Sequence, residues 1–585
     1  RDYIAGSDSV WRGRKQSEVQ GFISTWDSHK PNPDGYSVAS LMYLARQNGW
    51  LQTTGLEIPD QSMTMIDVKY IQEWTHAQVE LPNRVLVMSQ TGSGKTFNIS
   101  YLYKRLGEPK TVIFVPTTKL AIELANTLKS EHKLPVTLYI DPKTGRTLDT
   151  EVLAKAKILV TTLQTFGNKV HKEVPMGKYG LVYFEESDQL FQQFGRGGGG
   201  AYGSHVKEME ARQGFAVIRD AFENSGNVWC VDATMTQVTQ YVAEQMKGDH
   251  DITIIKNKRV APKAPVQLLA DKGEAYQVVL SSLLAGKKVV VACDTAQTAD
   301  EVVSTMDALG ALEGKSSLLI TSHTERNREV HAFMEDVNAG ALRYDLLAYN
   351  SVMASGVSIT SVKPDVIVQI CTYLTPRVNL QLLNRYRQQE QVYVFYQQVE
   401  ALYTDTDLTV LSEAYRRAGL EASLVNMPLA ERIPDATIRA RVASMSVGDE
   451  TLQRRSAASF YAGLLERDGR VVTLAEAVPT SSVIDHTLKG VRAIKKEFKE
   501  ELKSTWIETR PIDRDDPADP DMTDMQVAQG EIHARINSIL RGNVPTDVDP
   551  RTIYEVANGF ASSVVALTAF VQQGAALKTA ESYLA

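Results

Sequence analysis

The segment Ser89-Gln90-Thr91-Gly92-Ser93-Gly94-Lys95-Thr96 places two glycines, a lysine and a hydroxyl residue between the apolar run VLVM and the helix-like run FNISYLYKRL. Glycine adopts positive φ without steric cost, so Gly92 and Gly94 can turn successive backbone N–H groups toward one anion. The helix that follows offers its N-terminal dipole to the same oxygens. Lys95 supplies a point charge between the β- and γ-phosphates of a nucleotide, and the Thr96 hydroxyl is a ligand for Mg²⁺. Residues Gln90 to Thr96 are thus predicted to cradle the phosphates of ATP, with Mg²⁺ as cofactor. Ser89 stands where such loops usually begin with glycine, and a small residue suffices there.

Ninety residues after Lys95 the apolar run LVYF ends in Glu185-Glu186-Ser187-Asp188. Carboxylates at the end of a neighbouring parallel strand lie beside bound phosphates. Glu185 is expected to hold Mg²⁺, partly through water, and Glu186 to align and deprotonate the attacking water.

These residues need a framework of strands that all end at one edge. Between Arg84 and about Val260, β-branched runs alternate with helical stretches, which predicts a parallel α/β sheet. A second series of the same kind starts near Ala264, with strands expected at Lys288–Ala292, Ser317–Thr321, Leu346–Tyr349, Asp365–Ile370 and Val392–Tyr396. Beyond about Val399 the pattern turns helical, around Leu408–Ala418, Thr451–Arg467 and Thr487–Thr505. The run Ser40–Trp50 reads as a helix closing a small N-terminal module. The expected division is a module over 1–60, α/β domains over 61–260 and 261–400, and a helical accessory region over 401–585.

Composition agrees with several folded domains: 585 residues, 43% hydrophobic and 23% charged, suit a soluble globular chain of about three or four domains. A formal charge of −7 removes any argument for nucleic-acid binding from bulk charge, so such binding would need a local surface. Cys230, Cys293 and Cys371 are far apart in strand-like runs and read as buried thiols of a reducing compartment. The apolar stretch Gly559–Val571 is too short to span a bilayer, and no signal segment opens the chain, which begins at Arg1 and reads as a fragment or processed product. Phe194–Ser204, with six glycines, reads as a flexible loop, and Asp513–Asp524 as an acidic linker. Lys489, Arg492, Lys495, Lys496 and Lys499 read as a solvated helix face, with a nucleic-acid-facing stripe as the alternative.

Taken together, SQTGSGKT and EESD resemble motifs I and II of superfamily 2 helicases. Val115-Pro116-Thr117-Thr118-Lys119-Leu120 resembles motif Ia, Thr161-Thr162-Leu163-Gln164-Thr165-Phe166 the next strand-contacting block, and Asp232-Ala233-Thr234 motif III. Ala354-Ser355-Gly356-Val357-Ser358-Ile359 resembles motif V, and Gln381-Leu382-Leu383-Asn384-Arg385-Tyr386-Arg387 motif VI. The resemblance spans roughly residues 65–400. Its GVS, RYR and DAT blocks are most similar to herpesvirus-type origin-binding helicases and phage or plasmid replication relatives, and residues 1–50 resemble the helical module following the primase part of primase-helicases.

The resemblance implies two tandem RecA-like domains with ATP between them. Arg385 and Arg387 would reach the γ-phosphate from the second domain, and Gly356 and Gln381 would line the nucleotide. Thr117, Thr118, Thr161, Thr162, Thr321 and Ser322 would grip a nucleic-acid backbone, although each hydroxyl is as readily explained by a local cap. The implied activity is ATP-dependent unwinding of single-stranded or forked nucleic acid, DNA before RNA, in replication alongside a primase or other replication proteins. The implied setting is the cytoplasm of a bacterium or infected host cell, with no membrane partner. Two alternatives share these residues: an ATP-switched origin-binding or scaffold protein, and a double-strand translocase that does not unwind. Three departures stand out: Glu185 replaces an aspartate, Asn384 a glycine, and Gln388 occupies the usual place of the second arginine.

Overall fold

The strand runs are apolar on consecutive residues, as expected of strands covered on both faces. The computed structural model describes residues 57–505 apart from 91, 142–144, 197–205, 207, 325–326, 354–356, 398–432, 456 and 477–480. In it these runs form two all-parallel sheets, each in its own α/β domain. The first holds β1 (Thr64–Ile66), β2 (Arg84–Met88), β3 (Thr111–Phe114), β4 (Val136–Leu138), β5 (Ile158–Thr161), β6 (Leu181–Glu185), β7 (Asn227–Asp232) and β8 (Thr253–Asn257), in the order β1-β8-β2-β7-β6-β3-β5-β4. The second holds β9 (Val266–Leu268), β10 (Val289–Cys293), β11 (Ser317–Ile320), β12 (Leu346–Tyr349), β13 (Val366–Cys371), β14 (Gln391–Tyr396) and β15 (Val472–Leu474), in the order β11-β12-β10-β13-β14-β9-β15. Helices cover both faces, giving the expected tandem RecA-like architecture.

The long central strands match the sequence pattern, whereas β1, β4, β8, β9 and β15 carried no usable signal. Four of these five have only three residues, too few for periodicity, and form because a neighbour's free edge recruits them. β15 lies inside the stretch read as helical, where it pairs in parallel with β9. The three cysteines are buried on β7, β10 and β13. Among the described residues no helix is long and apolar enough to cross a membrane. Residues 1–56 of the expected N-terminal module, with its helix at 40–50, the helix expected at 408–418 and the acidic stretch 513–524 lie outside the described residues, and Ile58 at the module's end joins the core of the first domain.

Buried Arg84 opens β2 and needs partners. Its guanidinium donates to the carbonyls of Phe222 (2.7 Å), Ser225 (2.9 Å) and Gly226 (3.1 Å). Phe222 lies in the last turn of the helix Glu208–Asn224, whose carbonyls lack partners within the helix, and Ser225 and Gly226 follow it directly. Burial pulls its pKa down to about 10, and the donated hydrogen bonds compensate the buried charge. The residue thereby fixes the helix behind β6 and β7, whose other ends carry the acidic cluster.

The chain beyond 400 packs on both domains. The helix Ile433–Arg455 inserts Ile438 and Val442 into the core of the first domain, and its Asp435 pairs with buried Arg219. Further along, Asp449 pairs with Arg377 of the second domain at 2.8 Å. The helix Ala457–Arg467 then gives Phe460, Tyr461 and Leu465 to the core of the second domain. The helix Ser482–Thr505 lies on Ala296–Ala308, with Arg492 paired to Glu301 (3.0 Å) and Lys495 to Asp300. Two members of the basic stripe are therefore committed to holding this helix down.

Candidate functional site

The C-terminal ends of β2, β6 and β7 converge at one edge of the first sheet, where ligands bind in open α/β folds. From β2 the chain enters the glycine loop, with Gly92 at φ 86° and Gly94 at φ 75°. Gly94 is packed so closely on Tyr70 and Gln72 that a Cβ would lie 2.9 Å from Gln72 Oε1. The helix Lys95–Arg105 starts at once, so Lys95 and Thr96 occupy its first turn. Lys95 is buried, and its carbonyl accepts a hydrogen bond from Tyr183 OH at 3.3 Å. Ser89 is held by both neighbouring strands: its N–H donates to the Asp232 carbonyl at 3.0 Å, and its hydroxyl accepts from Asn257 Nδ2 at 3.2 Å. A glycine could not make the second contact, which accounts for the serine. Thr91 lies outside the described residues.

Glu185 closes β6 and is buried. Burial raises its carboxyl to about pH 7, opposed by the Lys95 charge and reinforced by Glu186 and Glu123. Glu186 has φ 52°, a left-handed conformation that a glutamate rarely adopts. Asp188 caps the turn beyond, its Oδ1 accepting from Thr236 N (2.9 Å), Thr236 Oγ1 (2.7 Å) and Thr239 Oγ1 (2.9 Å). Asp232, at the end of β7, accepts from the Asp188 N–H at 3.0 Å and the Thr234 N–H at 2.8 Å. The two acidic loops are thus sewn together, a role for Asp188 and Asp232 that sequence spacing did not reveal.

Ser93 Oγ, Glu185 Oε2 and Glu186 Oε2 are buried polar atoms with no hydrogen-bond partner within the protein. With Lys95 and the two positive-φ glycines they form a polar recess whose donors and acceptors fit the phosphates and Mg²⁺ of a bound nucleotide.

Arg385 and Arg387 approach this recess from the second domain. The Arg385 guanidinium donates to the Val357 carbonyl at 3.1 Å, and Arg387 Nε to Ser358 Oγ at 2.9 Å. Burial lowers the pKa of Arg385, and the carboxylates of Glu186 and Glu123 oppose that shift across the cleft. Glu123, on the helix Thr118–Ser130, has its own pKa raised by burial against the pull of Arg385 and Arg387. Nothing in its sequence context separates it from other surface acids. Gln381 is half-buried in the last turn of the helix Pro376–Leu383, and Gly356 lies outside the described residues.

The hydroxyl residues divide. Thr117 and Thr162 cap helices, accepting from Leu120 N and Thr165 N at 3.3 Å each. Thr161 is fully buried and donates to the Thr162 carbonyl at 3.2 Å. Thr321 is buried, its hydroxyl accepting from His323 N at 3.2 Å. Thr118 is exposed and shares a hydrogen bond with Tyr139 OH at 2.7 Å, and Ser322 is exposed. Only Thr117, Thr118 and Ser322 offer surface; the rest serve strand ends and caps.

The buried acids set a pH response. Burial raises Glu185 to about 7 and pushes Asp232 up in the same direction, with the Glu186 and Asp188 carboxylates adding to the Asp232 shift. A carboxyl whose pKa is higher folded than unfolded contributes stability that is complete below the unfolded value and lost as pH rises through the folded one. In chelator and without nucleotide, the unfolding midpoint should fall by several degrees between pH 6 and 9. The Glu185→Gln/Asp232→Asn double variant should flatten that slope; an unchanged slope would overturn the assignment.

Residues 69–241 match the family model described as DEAD/DEAH box helicase. No curated protein matches the sequence. Among solved structures, Saccharomyces cerevisiae Dbp5 bound to RNA and ADP BeF3 is similar at 14% identity, covering 71% of this chain and 89% of that one with a TM-score of 0.43. Mycobacterium smegmatis helicase Lhr bound to ssDNA and AMP-PNP is similar at 15% identity, covering 70% and 54%, with a TM-score of 0.40. A DEAD box protein from the hyperthermophile Methanococcus jannaschii shares 16% identity over 58% and 93%, with a TM-score of 0.32. At these scores the likenesses add nothing to the topology already described. The family match covers the phosphate loop, the acidic pair and the Asp232 loop in one continuous segment, and it gives this chain a superfamily 2 DEAD/DEAH box helicase domain, a nucleic-acid-dependent ATPase.

Proposed function

We propose that the chain is an ATP-driven helicase that moves along and separates strands of forked nucleic acid, with DNA as substrate, in phage, viral or plasmid replication. The observation that carries the motor reading is the cleft itself: Lys95, Glu185 and Glu186 line one wall, and Arg385 and Arg387 face them from the other domain. The choice of DNA and of replication rests on the resemblance of the GVS, RYR and DAT blocks.

In this reading residues 61–260 and 261–400 are the motor domains, the second completed by the helix Ala457–Arg467 and β15, and the helix Ile433–Arg455 ties them together. Gln90, Gly92, Ser93, Gly94 and Lys95 hold the phosphates, while Thr96 and Glu185 hold Mg²⁺. Bound Mg²⁺·ATP supplies the phosphoryl group and partly neutralises its charge. Glu186 orients the attacking water and accepts its proton, and Arg385 with Arg387 stabilises charge developing on the transferred group. Closing the cleft brings the arginines in and release lets them withdraw, so domains that each hold the strand through Thr117, Thr118 and Ser322 advance along it.

The test is a gel assay on forked DNA and forked RNA with ATP, run beside a measurement of ATP turnover. Strand separation of the DNA fork, dependent on Lys95, is the expected result. Turnover without separation would make the protein a translocase, and binding without stimulated turnover would make it an ATP-gated scaffold; either outcome overturns the proposal.

A further inference from the structure

The turn that follows the helix Ala457–Arg467 touches three parts of the cleft at once. The Arg467 carbonyl accepts from Gln90 Nε2 of the phosphate loop at 2.9 Å. The Gly469 carbonyl accepts from the N–H of Lys263, in the crossing between the domains, at 3.0 Å. Gly469 has φ 88°, and a Cβ there would meet the Ala261 carbonyl oxygen at 2.4 Å, so the turn lies directly on that crossing.

Between them Asp468 gathers Lys263 Nζ (2.6 Å), Arg470 Nε (3.3 Å) and Asn384 Nδ2 (3.1 Å). Asn384 returns the contact, its Oδ1 accepting from Arg470 Nη2 at 2.9 Å and Lys263 Nζ at 3.3 Å. One buried carboxylate and one amide thus hold two cations, and both polar atoms of the Asn384 side chain are used. Asn384 directly precedes Arg385, and it stands where the resembling motif carries glycine, a residue that could join no such network.

We propose that Asp468 and Asn384 are positioning residues for Arg385: the turn 467–470 sets the arginine loop in place relative to the phosphate loop. This rests on the motor reading above. Buried, mutually satisfied polar networks specify one geometry because each alternative leaves a charge or amide without a partner. An arginine that acts on a transferring phosphoryl group needs such definition, since small displacements cost rate rather than binding.

Asn384→Leu and Asp468→Asn each break the network. The swapped double variant, Asn384→Asp with Asp468→Asn, keeps its net charge and the donor between the two side chains. Each single variant should lower nucleic-acid-stimulated turnover at saturating ATP by about tenfold or more, with affinity for a non-hydrolysable ATP analogue within about threefold of the parent. In nucleotide-free protein, hydrogen exchange at the Arg385 and Arg387 amides should speed up by about tenfold. The swap should bring both readouts back to within about threefold, because contacting residues are not additive.

Singles that match the parent in turnover and exchange while Arg385→Ala is slow would overturn the inference, as would a swap that combines the two losses in full. A parent without stimulated turnover would instead remove the motor reading, and amide exchange would still decide whether the network holds the loop. If Asp468→Asn does not fold, Asn384→Leu carries the test, since it leaves every charge in place.

Discussion

Replacing Glu186 by glutamine lowers nucleic-acid-stimulated ATP turnover by about two to four orders of magnitude, the range that a positioned general base contributes, while nucleotide still binds. The substitution keeps the size and shape of the side chain and removes its ability to accept a proton. Three features single out Glu186. It is one residue beyond β6, its backbone is held in a left-handed conformation that turns it away from the strand path, and its Oε2 is buried with no partner in the protein. The Leu190 N–H donates to the Glu186 carbonyl at 3.1 Å, which anchors the residue to the helix Ser187–Arg196. The check is turnover at saturating ATP beside the affinity for a non-hydrolysable analogue. A Glu186→Gln protein with parental turnover would remove Glu186 from the reaction.

Arg385→Ala leaves nucleotide affinity within a few-fold of the parent and lowers turnover by about 10³ or more, or about 4 kcal/mol of barrier. The guanidinium lies in the domain opposite the phosphate loop and feels the carboxylates of Glu186 and Glu123. It is already largely withdrawn from water, so an anion placed beside it interacts strongly. A surface ion pair in the same position would contribute only about 0–1 kcal/mol and leave turnover nearly unchanged. Measuring Arg385→Ala and Arg387→Ala at saturating ATP and nucleic acid separates the two cases. If both hydrolyse ATP within a few-fold of the parent, the cleft mechanism is wrong.

Glu123 adds a condition to this expectation. Its carboxylate faces the same two arginines, so on the proposed mechanism it would compete with the phosphates for them. That arrangement also explains how the half-buried Arg385 is tolerated near Lys95: the wall opposite it is acidic.

What the sequence determined by itself was local. The geometry of the glycine loop was legible because it resides in consecutive residues: positive φ at Gly92 and Gly94, then the first turn of a helix, are backbone properties that need no distant partner. The acidic pair was legible for the same reason, since the end of an apolar strand fixes which edge of the sheet it occupies. The long central strands announced both parallel sheets, while three-residue edge strands such as β4 and β15 could not, because their existence depends on a neighbour's unpaired backbone. Tertiary structure alone decided the pairings across the chain: Ser89 with Asn257, Asp188 with Asp232, Glu123 with the motif VI arginines, and Asp468 with Asn384. With 70 acidic side chains in the sequence, no local rule singles out Glu123 or Asp468. Their roles arise only where folding buries a charge and leaves one partner within reach.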